Sequence, residues 1–419
     1  MKNHYKPKII MSIHGYLSTG KWQVTATDAS INSGLKSIEY KYGFTIFPWL
    51  NNYRAKKFNK WYQSEVVKSE HGLKVDEPFH RPSIVAHSLG TWIIAKALKK
   101  YPDIKFDKIF LHGSIIPREY DWYKLILNDQ VNKIIVEKTK NDSVIKWGFF
   151  LTGSRFPSSQ YGFIQKSSFI KYEEVDNFGH SDFQYSKRLQ SQFALHLKDI
   201  PTQLKVIHGS ELEMFSLKKY FNSTLKIDKH NYGVEYEENP VTIERAIEWA
   251  QVEKNIWSFI INSYNKDVVG YINILALDDE TYTKFKTGNL TEDDIRANNI
   301  CAFDIQGNLN LVIMSIALNE YVLTKTGSVL NSKPGELLIF TLSRKILELT
   351  GHGKRLNSIT SVAWTDIGEK LCKSFGMIRT DYNYSNHPIY SVTVDELKRK
   401  NMDEVRPLCK WWINQIKKG

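Results

Sequence analysis

The sequence has little cysteine and no long apolar run. Its three cysteines, Cys301, Cys372 and Cys409, lie far apart and form no C-x-x-C pair. That spacing predicts neither a disulfide framework nor a zinc or other metal site, and it is typical of a reducing compartment. No apolar stretch approaches the ~18 residues that a membrane-spanning helix needs, and the polar start of the chain has no signal-peptide core. We therefore expect a cytoplasmic protein without a membrane span.

The sequence also lacks blocks of like charge. It carries 57 Lys and Arg against 45 Asp and Glu, a net charge of +12, but the lysines are scattered over both halves. Runs of about five or more basic residues, which mark nucleic-acid-binding tails, do not occur. Scattered lysines predict solvated faces, and no nucleic-acid-reading motif is present. We expect no specific nucleic-acid partner, and these features leave the oligomeric state open.

Internal repeats, low-complexity tracts and Gly/Ser-rich or Pro-rich linkers are absent as well. With 419 residues, the chain is longer than one hydrophobic core usually serves, so two domains of about 200 residues each are predicted. The pattern of predicted elements changes near Pro201. We therefore expect a first domain over 1–200 and a second over 201–419.

A candidate nucleophile stands in the first half. Residues 83–94 have the pattern of a buried strand, a tight turn and the start of an amphipathic helix. The turn, A-H-S-L-G at 86–90, matches the nucleophile-elbow pattern G-x-S-x-G with alanine in the first small position. Such a turn pushes the Ser88 hydroxyl out over the end of a sheet and leaves the next backbone N–H, on Leu89, to receive an oxyanion. The alternative is a plain strand-to-helix turn.

A second turn, at 14–16, follows a predicted strand over 7–13. Gly15 lets the backbone direct an N–H inward, and the Tyr16 amide would then be the second oxyanion donor. A glycine loop after a strand is the alternative. Because the sequence also contains the Ser88 turn, we favour the interpretation that the Tyr16 amide is an oxyanion donor.

Alternating strands and helices in the first half predict an α/β fold with a parallel sheet, whose sites lie at the carboxyl ends of strands. Asp142 follows a predicted strand over 131–137, and His180 follows one over 169–175. The chain order Ser88, Asp142, His180 is that of a Ser-Asp-His triad. In that mechanism His180 takes the serine proton and Asp142 holds the imidazole tautomer.

Several alternatives to these assignments stay open. Asp129, Glu137 or Asp176 could replace Asp142 as the acid, because loop carboxylates are common. His112 also follows a strand but precedes the acid in the chain, and His87 is interpreted as a packed residue. Elsewhere in this half the pattern predicts a helix over 26–42 and a strand over 43–50.

Residues 1 to about 200 resemble the α/β-hydrolase superfamily in its compact esterase or lipase-like form. The residues that carry the resemblance are His14-Gly15-Tyr16, the motif at 86–90, Asn141-Asp142 and Gly179-His180. The resemblance implies hydrolysis of an acyl ester or thioester through an acyl-serine, without a cofactor. It implies a small-molecule acyl substrate whose identity it does not specify.

The second half has another order of predicted elements. It comprises paired strands over 257–261 and 268–275, a central strand over 310–318, an apolar helix over 335–349, a strand over 358–364, a short helix over 367–375 and a closing strand over 389–394. This order resembles the GNAT acetyltransferases, which have an α+β fold. The resemblance covers roughly 205–395 and rests on V-V-G-Y at 268–271, S-I-A-L at 315–318 and the A-x-T-x-x-G…F-G pattern at 363–376.

The GNAT resemblance implies an acetyl-CoA site. In that family the central strand, here with Ile316 and Leu318, pairs with the pantetheine arm, and a glycine-rich loop holds the pyrophosphate at a helix N-terminus. This sequence lacks the R-x-x-G-x-G loop, so Lys333 and Gly335 are the candidates left for the phosphates. Cys372 falls where the family often has a general-acid tyrosine, and a packed thiol is the alternative there. Acetyl-CoA is a candidate cofactor; the alternative is a fold that has lost it.

Three hypotheses follow from these patterns. The favoured one is a serine hydrolase in the first half fused to a GNAT-like domain. The second makes CoA-dependent N-acyl transfer the main activity. The third is a binding protein that retains both folds without turnover.

Overall fold

The computed structural model describes residues 8–15, 20–42, 51–68, 81–139, 142, 152–153, 156–175, 179–180, 186–198, 204–232, 241–262, 266–304, 307–319, 333–349, 355–400 and 407–418. The chain divides into two units, Met1–Gln203 and Leu204–Gly419. In the described ranges no helix is both long enough and apolar enough to cross a membrane.

The first unit is an α/β structure built on one parallel sheet. Its strands, in chain order, are β1 (Ile9–Ile13), β2 (Lys36–Tyr40), β3 (Ser83–His87), β4 (Phe106–His112), β5 (Val131–Lys138) and β6 (Ile170–Glu174). They lie in the order β2-β1-β3-β4-β5-β6, and every neighbouring pair is parallel. The predicted parallel α/β sheet is confirmed.

Helices make the connections that parallel strands require. They are α1 (Lys21–Asn32), α2 (Asn51–Lys68), α3 (Leu89–Lys100), α4 (Trp122–Leu127), α5 (Ser158–Tyr161) and α6 (Ser186–Lys198). Because helices cover both faces of the sheet, β3 and β4 are buried along their whole length. Their register pairs His87 with His112, so the next residues, Ser88 and Gly113, leave the sheet side by side.

The helix predicted over 26–42 was wrong beyond its first turns. Helix α1 ends at Asn32, and β2 begins at Lys36. The cause is Gly34, whose φ of 71° lies in the left-handed region that ends many helices. The Leu35 N–H donates to the carbonyl of Ser30 at 2.9 Å and closes the turn. The strand predicted over 43–50 lies outside the described residues.

The second unit is a separate α+β structure on a seven-stranded sheet. Its strands are β7 (Leu204–His208), β8 (Trp257–Asn262), β9 (Val268–Leu277), β10 (Asn308–Leu318), β11 (Arg355–Val362), β12 (Ile378–Tyr382) and β13 (Pro388–Thr393). Its helices are α7 (Met214–Tyr232), α8 (Ile243–Val252), α9 (Asp279–Lys286), α10 (Lys333–Leu349), α11 (Asp366–Ser374), α12 (Val394–Arg399) and α13 (Pro407–Lys418).

Strand β10 is the centre of this sheet, whose order is β12-β13-β11-β10-β9-β8-β7. Among the described strands, β10 and β11 form the single parallel pair; the other pairs are antiparallel. Pairing with β9 continues to Leu318 after a register shift between Ile313 and Ser315, whereas pairing with β11 ends at Ile313. The last residues of β10 therefore separate from β11 and leave a gap in the sheet.

Candidate functional site

Ser88 occupies a strained turn between β3 and α3. Its backbone has a φ of 51° and a ψ of −120°, a conformation that costs a residue with a side chain about 1–3 kcal/mol. Three hydrogen bonds hold the turn, one of them from the Thr91 backbone N–H to the carbonyl of Ser88 at 3.0 Å. The Ser88 N–H donates to the carbonyl of His112 at 3.0 Å, and the Thr91 hydroxyl donates to the carbonyl of Ser88 at 2.7 Å.

Glycines on both sides let the neighbouring backbone approach this turn closely. A Cβ at Gly90 would lie 2.6 Å from the carbonyl oxygen of His14, and a Cβ at Gly15 would lie 2.8 Å from the Cβ of Ser88. Both distances are shorter than any real Cβ contact, so the turn after β1 packs directly against Ser88. Tyr16, the predicted second oxyanion donor, lies outside the described residues.

Leu89, the other predicted oxyanion donor, is the first residue of α3. A residue at that position has a backbone N–H with no acceptor inside its own helix. The helix dipole also places partial positive charge at this end. The amide is therefore suited to binding an oxygen that becomes negative beside Ser88.

His180 and Asp142 meet, although 38 residues separate them in the chain. The Nδ1 of His180 lies 2.7 Å from Oδ2 of Asp142, whose side chain is fully buried. The carbonyl of Asp142 in turn accepts from the side-chain amide of Gln160 at 3.0 Å. Because a carboxylate only accepts, the hydrogen bond assigns the proton to Nδ1 and leaves Nε2 with a free lone pair.

The ring of His180 lies over Gly113, beside the Ser88 turn. A Cβ at Gly113 would be 3.0 Å from Cε1 of that ring, and Gly113 has a φ of 50°. Since β3 and β4 are in register, this places His180 at the strand ends from which Ser88 projects. Within the described part of the chain, no hydrogen bond joins the Ser88 hydroxyl to the ring; such contacts often tighten only when substrate is bound.

His87 contributes to the site in a way that the sequence did not indicate. It is buried, and its Nε2 donates to the backbone carbonyl of His180 at 2.9 Å. Burial, reinforced by the nearby rings of His180, His112 and His14, holds the pKa of His87 well below its usual value. A neutral His87 thus fixes the backbone that carries His180.

The alternative acids are engaged elsewhere or not described. Asp129 forms an ion pair with Arg81. Glu137 contacts His112 at 2.8 Å and Arg188 at 3.0 Å. Burial alone would raise the pKa of Glu137, but these partners hold it below its usual value. Asp176 lies outside the described residues.

Four of the residues predicted to contact acetyl-CoA line a cavity of the second unit, which has a volume of ≈ 810 Å³ counting its open mouth; they are Ile316, Leu318, Gly335 and Cys372. The side chain of Lys333 lies outside the described residues. Cys372 is buried, and burial raises the pKa of its thiol to about 12. The cavity opens where β10 separates from β11.

Comparison with known proteins bears on the first half of the chain alone. No protein-family model and no curated protein matches the sequence. The chain is similar in structure to a protein from Thermoplasma acidophilum described as a predicted CIB-like hydrolase. The two are 14% identical, the match covers 47% of this chain and 89% of that protein, and the TM-score is 0.32. An extracellular alpha/beta-hydrolase from a Paenibacillus species is 12% identical, with 46% and 98% covered and a TM-score of 0.29.

A cold-adapted esterase from an Arctic intertidal metagenomic library gives 11% identity, coverage of 45% and 82%, and a TM-score of 0.31. All three likenesses lie over the N-terminal half. Likenesses as weak as these carry nothing about the chemistry of this chain.

Proposed function

We propose that the first unit is a serine hydrolase that cleaves acyl esters or thioesters. The observation that carries the proposal is the 2.7 Å contact between His180 and Asp142 at the strand ends from which the strained Ser88 turn projects. A buried carboxylate on Nδ1 leaves the imidazole able to accept a proton at Nε2. The alternative of a plain strand-to-helix turn at Ser88 explains neither the strain nor the histidine beside it.

In this mechanism Nε2 of His180 takes the proton of the Ser88 hydroxyl while Oγ attacks the acyl carbon. The Leu89 N–H stabilises the oxygen that becomes negative. His180 then gives its proton to the leaving alcohol or thiol, and an acyl-serine remains. A water molecule then attacks the acyl carbon while His180 takes its proton, and His180 passes that proton to Oγ of Ser88 as the bond to the acyl group breaks and the acid leaves.

A fluorophosphonate probe tests this proposal. The wild-type chain should form one covalent phosphonyl adduct, and peptide mapping should place it on Ser88. Ser88→Ala should lose the adduct, whereas Ser191→Ala, at an exposed serine on α6, should retain it. A folded wild-type chain that takes up no probe, or labelling that survives in Ser88→Ala, contradicts the proposal.

We further propose that the second unit has a GNAT-type fold and transfers an acyl group from CoA. Support comes from the strand order around β10, from its single parallel pair among the described strands and from the cavity at the gap between β10 and β11. Acyl-CoA would supply an activated thioester to an acceptor nucleophile.

The residues around this gap fit part of the cofactor. Beyond Ile313 the backbone of β10 is not paired with β11, so Ile316 lies on a stretch with polar groups suited to the amides of a pantetheine arm. The carbonyl of Leu318 is already occupied, because it accepts from Asn231 at 3.0 Å. Gly335, at the start of α10, lies where helix amides favour phosphate.

Gly368 offers a test of acetyl-CoA binding. It lines the cavity, and a Cβ there would meet no atom closer than 3.4 Å. By isothermal titration calorimetry, wild type and Gly368→Ala should bind acetyl-CoA alike, and Gly368→Phe should bind at least about tenfold more weakly because its ring fills the cavity. Absence of binding by wild type, or unchanged binding by Gly368→Phe, contradicts the proposal.

A further inference from the structure

Six lysines lie together on two helices that cover one side of the sheet in the first unit. Helix α2 packs against α3. The connections that contain these helices cross the sheet in the same direction, from β2 to β3 and from β3 to β4, which places both helices on one face. We call the six residues the lysine face; they are Lys56, Lys57 and Lys60 on α2, and Lys96, Lys99 and Lys100 on α3.

The spacing of these lysines turns them away from the sheet. Residues three or four apart share one side of a helix, and Lys56, Lys57 and Lys60 follow that spacing, which the lysines of α3 repeat. Five of the six are exposed, and Lys96 is half-buried. Phe58, on the opposite side of α2, is fully buried. Two rows of lysines therefore run side by side along the surface.

The lysine face has little opposing charge. Helices α2 and α3 together contain one acidic residue, Glu65, and Asp103 follows in the turn after α3. In the described part of the chain none of the six lysines forms an ion pair. The whole chain has 57 basic and 45 acidic residues, so this surface is far more basic than the average. Such a surface attracts an anionic partner.

Three of the lysines lie over aromatic rings. The distances from Nζ to the ring centroid are 4.8 Å for Lys57 over Tyr53, 4.8 Å for Lys96 over Trp92 and 5.7 Å for Lys100 over Tyr101. These cation–π contacts favour the charged ammonium group at each position. They also cover ring faces on which the bases of a single-stranded nucleic acid could stack. The lysine face thus offers charge rather than a platform for bases.

Lysine suits an extended surface of negative charge. An ammonium group is a point charge on a flexible stem, without the planar fork with which arginine binds a phosphate or reads a base. Arg54, on α2, is 7% exposed and lies over the ring of Tyr42 instead. Tyr53 is 54% exposed, and tyrosine is enriched where membranes meet water. Charge complementarity here favours an anionic lipid surface over nucleic acid.

We propose that the lysine face binds the surface of a membrane that contains anionic lipids, with α2 and α3 lying along the headgroups. Clusters of lysines of this size are attracted to such surfaces, and the attraction is reversible. The binding needs no membrane-spanning segment. It depends on neither of the activities proposed above, and it would hold the first unit at a membrane whatever its substrate is.

Sedimentation of the full chain with lipid vesicles tests the proposal. At about 0.1 M NaCl, vesicles of phosphatidylcholine with about 30% phosphatidylserine should bind the chain at least about tenfold more tightly than phosphatidylcholine alone. Raising NaCl to about 0.5 M should weaken that binding at least about tenfold, because salt screens exposed charges.

Two triple variants separate the lysine face from the net charge of the chain. One neutralises the α2 lysines and the other the α3 lysines, and a control neutralises three exposed lysines that lie apart from one another. The three are Lys56→Gln/Lys57→Gln/Lys60→Gln, Lys96→Gln/Lys99→Gln/Lys100→Gln and the control Lys21→Gln/Lys36→Gln/Lys370→Gln. Each variant of the face should weaken binding to the anionic vesicles at least about tenfold, and the control less than about threefold.

Equal binding to the two kinds of vesicle, no binding to either, or equal losses in the control and in both variants of the face overturns the proposal. Circular dichroism checks that each variant is folded, and because the two variants change different helices, either one is sufficient. A short single-stranded RNA is the competing anion. If the chain binds it more tightly than the anionic vesicles and needs the same lysines, the face is a nucleic-acid surface and the membrane proposal is wrong.

Discussion

Ser88→Ala and His180→Ala should each lower kcat for p-nitrophenyl acetate by about 10⁴–10⁶-fold, and the variant with both changes should lose no more. The two losses should not multiply because the transfer of the Ser88 proton to His180 and the attack of Oγ on the acyl carbon occur in one step. Without the imidazole the hydroxyl is a weak nucleophile, and without the hydroxyl the imidazole has no proton to take. What remains is the contribution of the Leu89 amide and of substrate binding.

Steady-state rates of purified full-length variants measure this, with Ser191→Ala as the control that should keep the wild-type rate. The double variant is the informative one. If its loss were the product of the two single losses, Ser88 and His180 would act in separate steps, and the single proton-transfer event would be wrong. If His180→Ala retained the wild-type rate, the contact with Asp142 would be structural.

The Ser88 turn was predictable because its determinants are local. A buried strand, small residues at 86 and 90 and a helical pattern afterwards specify a strained turn without reference to the rest of the chain. The contact between Asp142 and His180 was predictable from a rule of topology, since the carboxyl ends of parallel strands meet at one edge; their catalytic roles stay a prediction. The strands and helices around β10 were likewise indicated by their patterns, with bounds within a few residues.

Other features depend on contacts between distant residues. The bond from His87 to the carbonyl of His180 joins residues 93 positions apart, and nothing in A-H-S-L-G distinguishes a histidine that fixes a backbone from one that only packs. One cavity of the second unit draws Asp228, Tyr271, Glu292 and Ser315 from four separate segments, and no spacing in the sequence connects them.

The misread helix over 26–42 has a different cause. Residues 26–32 and 36–40 both have patterns compatible with a helix, so the periodicity alone predicts one helix that continues through Gly34. The left-handed φ at that glycine ends α1 and allows the chain to return as β2. The local signal was present, and the longer pattern outweighed it.

Asp142→Asn should lower kcat about 10⁴-fold while leaving the protein folded. The amide of asparagine can donate to Nδ1 of His180, which moves the ring proton to Nε2. That tautomer has no lone pair facing the Ser88 hydroxyl and cannot take its proton. Because His87 holds the carbonyl of His180 and Gln160 holds the carbonyl of residue 142, the backbone should keep its position. The rate for p-nitrophenyl acetate at neutral pH measures the loss.

Asp129→Asn is the matched control, since Asp129 was an alternative acid and is instead paired with Arg81. Removing its charge should lower the free energy of unfolding, because the ion pair with Arg81 is lost. Arg81 keeps its bonds to the carbonyl of residue 129 and to Asn132, so the local structure and kcat should not change. Urea unfolding and turnover on the same samples separate the two effects. Two results would contradict the role of Asp142: Asp129→Asn loses as much turnover as Asp142→Asn, or Asp142→Asn keeps turnover within tenfold of wild type. In either case the catalytic acid would have to be sought among the other carboxylates near the strand ends.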